Sequence, residues 1–282
     1  MGSVNPLPVV RRAIFLLLVC VGDAFSGTGD STTVSRSIPT VVLDDAVVFL
    51  GDVGGFVTSP LRFTSEDWLA TGVVAGGTLV LAAGDEGITE GFGKGGGQPS
   101  DGGFFDVKAH YGLAKWANIS AALVYLTGLV TGVDDIRITG RLLGTSLSSS
   151  GLTVLAMRFL FGRARPESAN RALDFRWFET QIEYQSFPSG HTTVAFAFST
   201  VLAERLDNLW ARIGLYGAAT ISSLLRVYDR SHWFSDVVTG AIIGTLAGLD
   251  ALRRERGRER GVEAGRFSIV PTQRGIHLCY RF

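Results

Sequence analysis

Only two cysteines, Cys20 and Cys279, occur in the 282 residues. Two thiols alone make neither a disulfide framework nor a metal site. Net charge is missing as well, since 26 Lys and Arg balance 26 Asp and Glu. That balance gives no sign of a nucleic-acid partner, although the charge is uneven, with arginines clustered near the C-terminus. Charged residues are scarce, at 18%, against about 25% in an ordinary soluble domain. Long uncharged runs are scarce too. A membrane-spanning helix wants about 20 apolar residues, whereas Trp68–Gly84, Trp116–Val133 and Val237–Leu249 reach only 17, 18 and 13 uncharged positions. Helices of this kind suit the buried interior of a soluble bundle. They equally suit a membrane bundle whose polar residues face a central site.

What is present is apolar and helical in pattern. Arg11 and Arg12 precede the apolar run Ala13–Val21, and small residues follow at Ala24 and Ser26. Residues 1–26 are therefore expected to be a signal peptide or N-terminal anchor. Residues 27–66 are expected to be a Ser/Thr/Gly-rich linker followed by a short irregular or helical lead-in. Ser65 and Asp67 are candidate caps for the first long helix, ending near Gly84. Residues 91–103 form a glycine-rich loop with Gly91, Gly93 and Gly96 in a G-x-G-x-x-G pattern. Without a preceding strand it is not a dinucleotide site. Further helices are expected over about 111–133, 137–162, 190–205, 209–227 and 233–253, with a long polar loop at 163–187. The tail alternates apolar and polar residues around Gln273-Arg274-Gly275, a hairpin pattern. The expected fold is an all-α helical bundle of about six core helices, membrane-embedded, with a short C-terminal β-hairpin-like tail. Its domain is 67–253, and 254–282 form a basic linker and tail.

Arg253, Arg254, Arg256, Arg258 and Arg260 crowd the end of the last helix. The positive-inside rule assigns that end to the cytoplasm, and the loops 163–187 and 227–236 to the opposite, periplasmic side. Six spans would then need a cytoplasmic N-terminus, which a cleaved signal contradicts. A soluble periplasmic protein is the alternative.

Three clusters carry chemistry. In the first, Arg158 and Arg165 stand seven residues apart, two helical turns, before Pro166. They lie about 10 Å apart along the axis, and planar guanidinium forks suit phosphate oxygens. In the second, Pro188-Ser189-Gly190-His191 opens a helix. Free N–H groups, the helix dipole and the Ser189 hydroxyl make an anion site there, and His191 is suited to give up a proton near neutral pH. In the third, His232 and Asp236 are spaced i,i+4 behind Arg226. A carboxylate on one ring nitrogen fixes the tautomer and leaves the other nitrogen nucleophilic. Each cluster alone has a plainer reading: an Arg-rich helix end, a Ser/Gly cap, a surface His–Asp pair. Their combination is far more specific, because two of only four histidines fall within it.

The three clusters together resemble the type 2 phosphatidic acid phosphatases and their relatives, the bacterial acid phosphatases and vanadium haloperoxidases. The family pattern reads K-x6-R-P, P-S-G-H and S-R-x5-H-x3-D. Arg165-Pro166, Pro188-Ser189-Gly190-His191 and Arg226, His232 and Asp236 match at the required spacings. Arg158 stands where the family has Lys, and Leu225 where it has Ser. The resemblance implies a phosphatase of a phosphate monoester or diphosphate, expected on a lipid, in the bacterial inner membrane. No cofactor or metal is implied. Arg158, Arg165, Arg226, Ser189 and Gly190 would hold the phosphoryl group. His232 would attack phosphorus, Asp236 would orient it, and His191 would protonate the leaving oxygen before water releases phosphate from the phosphohistidine. Fixed cations can lower such a barrier electrostatically. A vanadate-dependent haloperoxidase and a catalytically inactive membrane protein of the same fold are the alternatives.

Overall fold

The computed structural model of the chain describes residues 37–93, 111–168, 171–261, 267–272 and 275–280. The expected export signal and residues 94–103 of the glycine-rich stretch lie outside them. The described helices are α1 (Ile38–Val57), α2 (Ser65–Gly93), α3 (Ala114–Thr131), α4 (Asp134–Phe161), α5 (Gly190–Leu206), α6 (Leu209–Tyr228) and α7 (Phe234–Glu259). All six expected helices are present. The seventh, α1, replaces the short lead-in expected from the sequence. Gly51, Gly54 and Gly55 lower its intrinsic helicity, so tertiary ion pairs hold it instead. Asp45 pairs with Arg137 and with Arg141 at 3.1 Å, and Asp52 takes a bidentate grip on Arg258 at 2.9 and 2.8 Å. Arg141 in turn reaches Glu255 at 2.8 Å. This ionic cluster clamps α1 to α4 and α7.

Local rules explain the other ends. Thr64, one residue before the expected Ser65, caps α2. Its N–H donates to Asp67 Oδ2 at 2.9 Å, and the Asp67 N–H donates back to Thr64 Oγ1 at 3.3 Å. The helix continues past Gly84 to Gly93 because Asp85, the first charge after its apolar run, is buried in an ion pair. Asn208 caps α6 by accepting the N–H groups of Trp210 and Ala211. Gly132 and Gly162 end α3 and α4 in the left-handed conformation.

The core lies among α3, α4, α5 and α7, around Leu142, Leu143, Val201, Leu202 and Leu252. The helices α5 and α7 approach each other closely. Gly240, Gly244 and Gly248 recur every four residues on one face of α7. A Cβ at Gly240 would sit 2.6 Å from the Ser189 carbonyl oxygen, and one at Gly244 would sit 2.3 Å from that of Thr193. Backbone therefore lies directly on backbone. On α4 the buried Thr145, Ser146, Ser149 and Ser150 are small enough to pack among the neighbouring helices, and the Ser150 hydroxyl donates to the Ser146 carbonyl at 2.7 Å.

Outward faces are apolar. Leu69, Val73, Leu79 and Val80 of α2 are exposed, as are Leu123 and Val130 of α3. Among the described residues, α2 and α7 are long and apolar enough to cross a membrane by length and composition. In the tail, β1 (Phe267–Thr272) pairs antiparallel with β2 (Gly275–Tyr280), with Phe267 opposite Tyr280. Two strands do not make an independent layer, and the fold class, all-α, rests on the helices alone.

Candidate active site

The expected polar loop between α4 and α5 is laced to the bundle by its backbone. The Ala164 N–H donates to the Asp174 carbonyl at 2.9 Å, the Arg165 N–H to Glu183 at 2.9 Å, and the Ser186 N–H back to Arg163 at 3.0 Å. The Trp233 indole donates to the Ala164 carbonyl at 2.8 Å. These bonds fix Arg165 and the segment 186–189 beside the start of α7.

Arg158, at the end of α4, turns toward the start of α5. Its Nε donates to the Pro188 carbonyl at 3.2 Å. The guanidinium lies so close to Gly190 that a Cβ there would be 3.0 Å from Nη2. Ser189 is fully buried and caps α5, accepting the Thr192 N–H at 3.4 Å and the Thr192 hydroxyl at 3.1 Å. Its own N–H donates to the Asp236 carbonyl at 3.1 Å. The second and third clusters are thus joined through backbone.

His232 is buried between them. Its Nδ1 lies 2.8 Å from the Ser186 carbonyl oxygen. A carbonyl only accepts, so Nδ1 carries the proton and Nε2 keeps the lone pair. This corrects the sequence expectation in one respect. Asp236 Oδ2 is 3.8 Å from Nδ1, an ionic neighbour and not the hydrogen-bond partner that sets the tautomer. The reason is competition: Oδ2 already accepts the Ser186 hydroxyl at 2.5 Å and the Trp233 N–H at 3.0 Å. Burial pushes the His232 imidazole below its ordinary value. The cations Arg158 and Arg165 push the same way, and Asp236 opposes them. The ring is neutral at neutral pH, as a nucleophile must be.

His191 projects from the first turn of α5 toward α6, where its Nε2 is 2.8 Å from Ser222 Oγ. The Ser222 hydroxyl gives its single proton to the Tyr111 carbonyl, so His191 Nε2 donates. Gly112, at φ +109, backs the ring; a Cβ there would fall 2.8 Å from Nε2. Ser222 is one helical turn before Arg226, so the two share a face of α6. The Arg226 carbonyl accepts the His232 N–H at 3.1 Å, and its guanidinium reaches Asp229 at 3.3 Å. The Nε atoms of Arg165 and Arg226 are buried with no hydrogen-bond partner among the described residues. Buried cationic donors without a partner suit an anion, and Arg165 also bears on the His232 imidazole.

Sequence reading missed four members of this site. Arg163 is 1% exposed, with Asp85 on one side and Asp236 on the other. Ser186 and Ser235 complete their hydrogen bonds. One signal was available, because Asp85 is the first carboxylate after 17 uncharged helix positions, and such a group needs a partner where it is buried. Among the described residues no group of three His, Cys, Asp or Glu side chains could hold a metal ion.

The chain is similar to several known proteins. The lipid A 1-phosphatase of Rhizobium etli is 30% identical over 143 residues, 50% of this chain and 56% of that protein. The acid phosphatase of Zymomonas mobilis is 32% identical over 92 residues, 33% of this chain and 34% of that one. The chain thus spans about half the first relative's length and a third of the second's. The crystal structure of Aquifex aeolicus LpxE superposes with a TM-score of 0.44 at 22% identity, covering 59% of this chain and 93% of that one. A family model described as the PAP2 superfamily matches residues 139–258, the block that holds every sequence-predicted site residue.

Proposed function

We propose that this protein is a phosphatase that hydrolyses a phosphate monoester or diphosphate of a lipid through a phosphohistidine on His232. One observation carries the reading: a buried imidazole, its Nδ1–H held by Ser186, lies within the field of Arg158 and of Arg165, whose Nε is buried without a partner. Nε2 attacks phosphorus, the N–P bond forms, and the bond to the leaving oxygen breaks. His191 gives that oxygen its proton. Water then attacks phosphorus with its proton passing to His191, the N–P bond breaks, and phosphate leaves. Arg158, Arg165, Arg226 and the start of α5 at Ser189 and Gly190 hold the phosphoryl oxygens as charge develops. The catalytic unit in this reading spans α2 to α7.

The lipid part of the reading rests on surface chemistry and on the lipid A 1-phosphatase relative. Trp177, Phe178 and Ile182 of the laced loop are 63%, 60% and 65% exposed, next to exposed Phe159 and Leu160 at the end of α4. Aromatic residues at the mouth of a site favour a membrane–water interface. Together with the apolar flanks of α2 and α3, they support a membrane-associated enzyme of the cell envelope; the arginines at 253–260 favour a site facing the periplasm.

Phosphate release from a panel of lipid phosphates by purified protein in chelator tests the reading, with His191→Ala as control. Release that is lost in the control supports it; no release from any lipid phosphate overturns it. The double variant Trp177→Ser, Ile182→Ser is expected to raise KM for substrate in mixed micelles about tenfold, from the lost burial of two large apolar side chains. Its rate on a water-soluble phosphate ester should stay within about twofold of wild type, because neither side chain touches the reacting groups.

A further inference from the structure

Arg163 is shared between two carboxylates, one of them from a helix the three sequence clusters do not include. Its Nη2 donates to Asp85 Oδ2 at 2.8 Å, and its Nη1 donates to Asp236 Oδ1 at 2.5 Å and to Ser235 Oγ at 2.7 Å. Its Nε donates to the Ala172 carbonyl at 2.8 Å. The Ser235 N–H and hydroxyl both donate to Asp85. The guanidinium also lies 5.4 Å from the Phe175 ring centroid and 5.6 Å from that of Trp233. Asp85 and Asp236 are both fully buried.

Formal charge makes the arrangement informative. An Arg163–Asp236 pair alone would be neutral. Adding Asp85 leaves the trio with one net negative charge, and the carboxylate nearest His232 belongs to that trio. A buried carboxylate is costly unless it does something its neighbours need.

We propose that Asp85 is a positioning and charge-setting residue for His232: it draws off half of the Arg163 guanidinium so that Asp236 keeps its negative field on the imidazole. The inference rests on the reading of His232 as nucleophile. When Nε2 bonds to phosphorus, the ring retains its Nδ1 proton and becomes cationic while the P–O bond breaks. The surplus negative charge stabilises that cation. It counters Arg158 of α4 and Arg165 of the loop, which bear on the same ring, while Arg226 of α6 meets His232 through its backbone carbonyl. Asp85 also ties α2 to the start of α7 through Ser235, fixing the height of Asp236.

The test is direct titration of His232 by nitrogen-15 NMR of histidine-labelled full-length protein in detergent micelles. A His232→Gln variant assigns the resonance among the four histidines. Asp85→Asn and Asp85→Ser are two neutral replacements of different size, and one that folds suffices. Either is expected to lower the His232 midpoint by about one pH unit, the effect of removing one charge several ångströms away in a protein interior. Asp85→Glu, which keeps the charge, is expected to titrate as the wild type does. A folded neutral variant with an unmoved or raised midpoint overturns the inference. The titration needs no turnover, so it still reports on Asp85 if His232→Ala proves active and the reading of the nucleophile fails. In an active enzyme, the neutral variants should lose kcat about tenfold with KM within about twofold, and the acid limb of kcat/KM should move down with the titration.

Discussion

Replacing His232 with alanine is expected to remove phosphate release almost completely, with kcat falling roughly 10^4-fold or more, as when an enzyme loses its nucleophile. No other described side chain occupies its place between the Ser186 carbonyl and the Arg158 and Arg165 charges. Alanine would also leave that buried carbonyl without a donor, at about 1–3 kcal/mol. His232→Asn separates the two effects. Its amide can still donate to Ser186, so it should unfold close to wild type in detergent yet be as inactive as alanine. Phosphate release measured beside thermal unfolding checks both, and either variant turning over at near wild-type rate would remove the phosphohistidine from the mechanism. The pH dependence has a definite sign. The folded-state value of His232 lies below its ordinary 6.5, so kcat/KM should hold as pH falls through 6.5 and decline only at lower pH as the ring protonates. The unfolded chain binds that proton first, so the His232 contribution to stability falls as pH drops below about 6.5.

The second large effect is expected far from any reacting atom. Gly244→Val would place a Cβ 2.3 Å from the Thr193 carbonyl oxygen and 2.9 Å from the Ala197 nitrogen. Both are backbone atoms of α5, which cannot rotate away as a side chain would. The helices must separate, with a loss of about 3 kcal/mol or more. Because α5 starts at the Ser189 cap and α7 starts just after His232, separation also widens the gap between the two halves of the site. Activity should therefore fall even at temperatures where the variant remains folded. Gly151→Ala is the matched control. A Cβ there meets nothing within 4 Å, and alanine in a helix interior should add roughly 0.5–1 kcal/mol. Thermal unfolding of the two variants side by side, with phosphate release, decides the point.

The six core helices were legible because each is a long apolar segment with its own end signals. Their borders moved where a side chain found a partner that no local pattern records. Asp85 reads as a helix terminator after Gly84, and becomes a helix interior residue once Arg163 meets it from 78 positions along the chain. The helix α1 was obscured by glycines and revealed by Arg137, Arg141 and Arg258. Arg158, Arg165, Ser189, Gly190, His191, Arg226, His232 and Asp236 were legible as a set, since fixed spacings at helix ends preserve their relation. The partner of His232 was not, because a backbone carbonyl leaves no trace in residue identity. Helical spacing brought Asp236 within 3.8 Å, but spacing could not register that both its oxygens were already committed.

The clamp on α1 has a bearing on where such a protein can work. Asp52 and Glu255 are 4% and 6% exposed, while Arg212 and Arg256, which bridge to Glu204 on the surface, are far more open to solvent. Mobile ions screen open pairs over a Debye length of about 8 Å in physiological brine, but they reach the buried carboxylates of the clamp less readily. Rising salinity should thus loosen the bridges to Glu204 before it weakens the docking of α1, so that the helix keeps its seat over a wider range of salt than the surface bridges do.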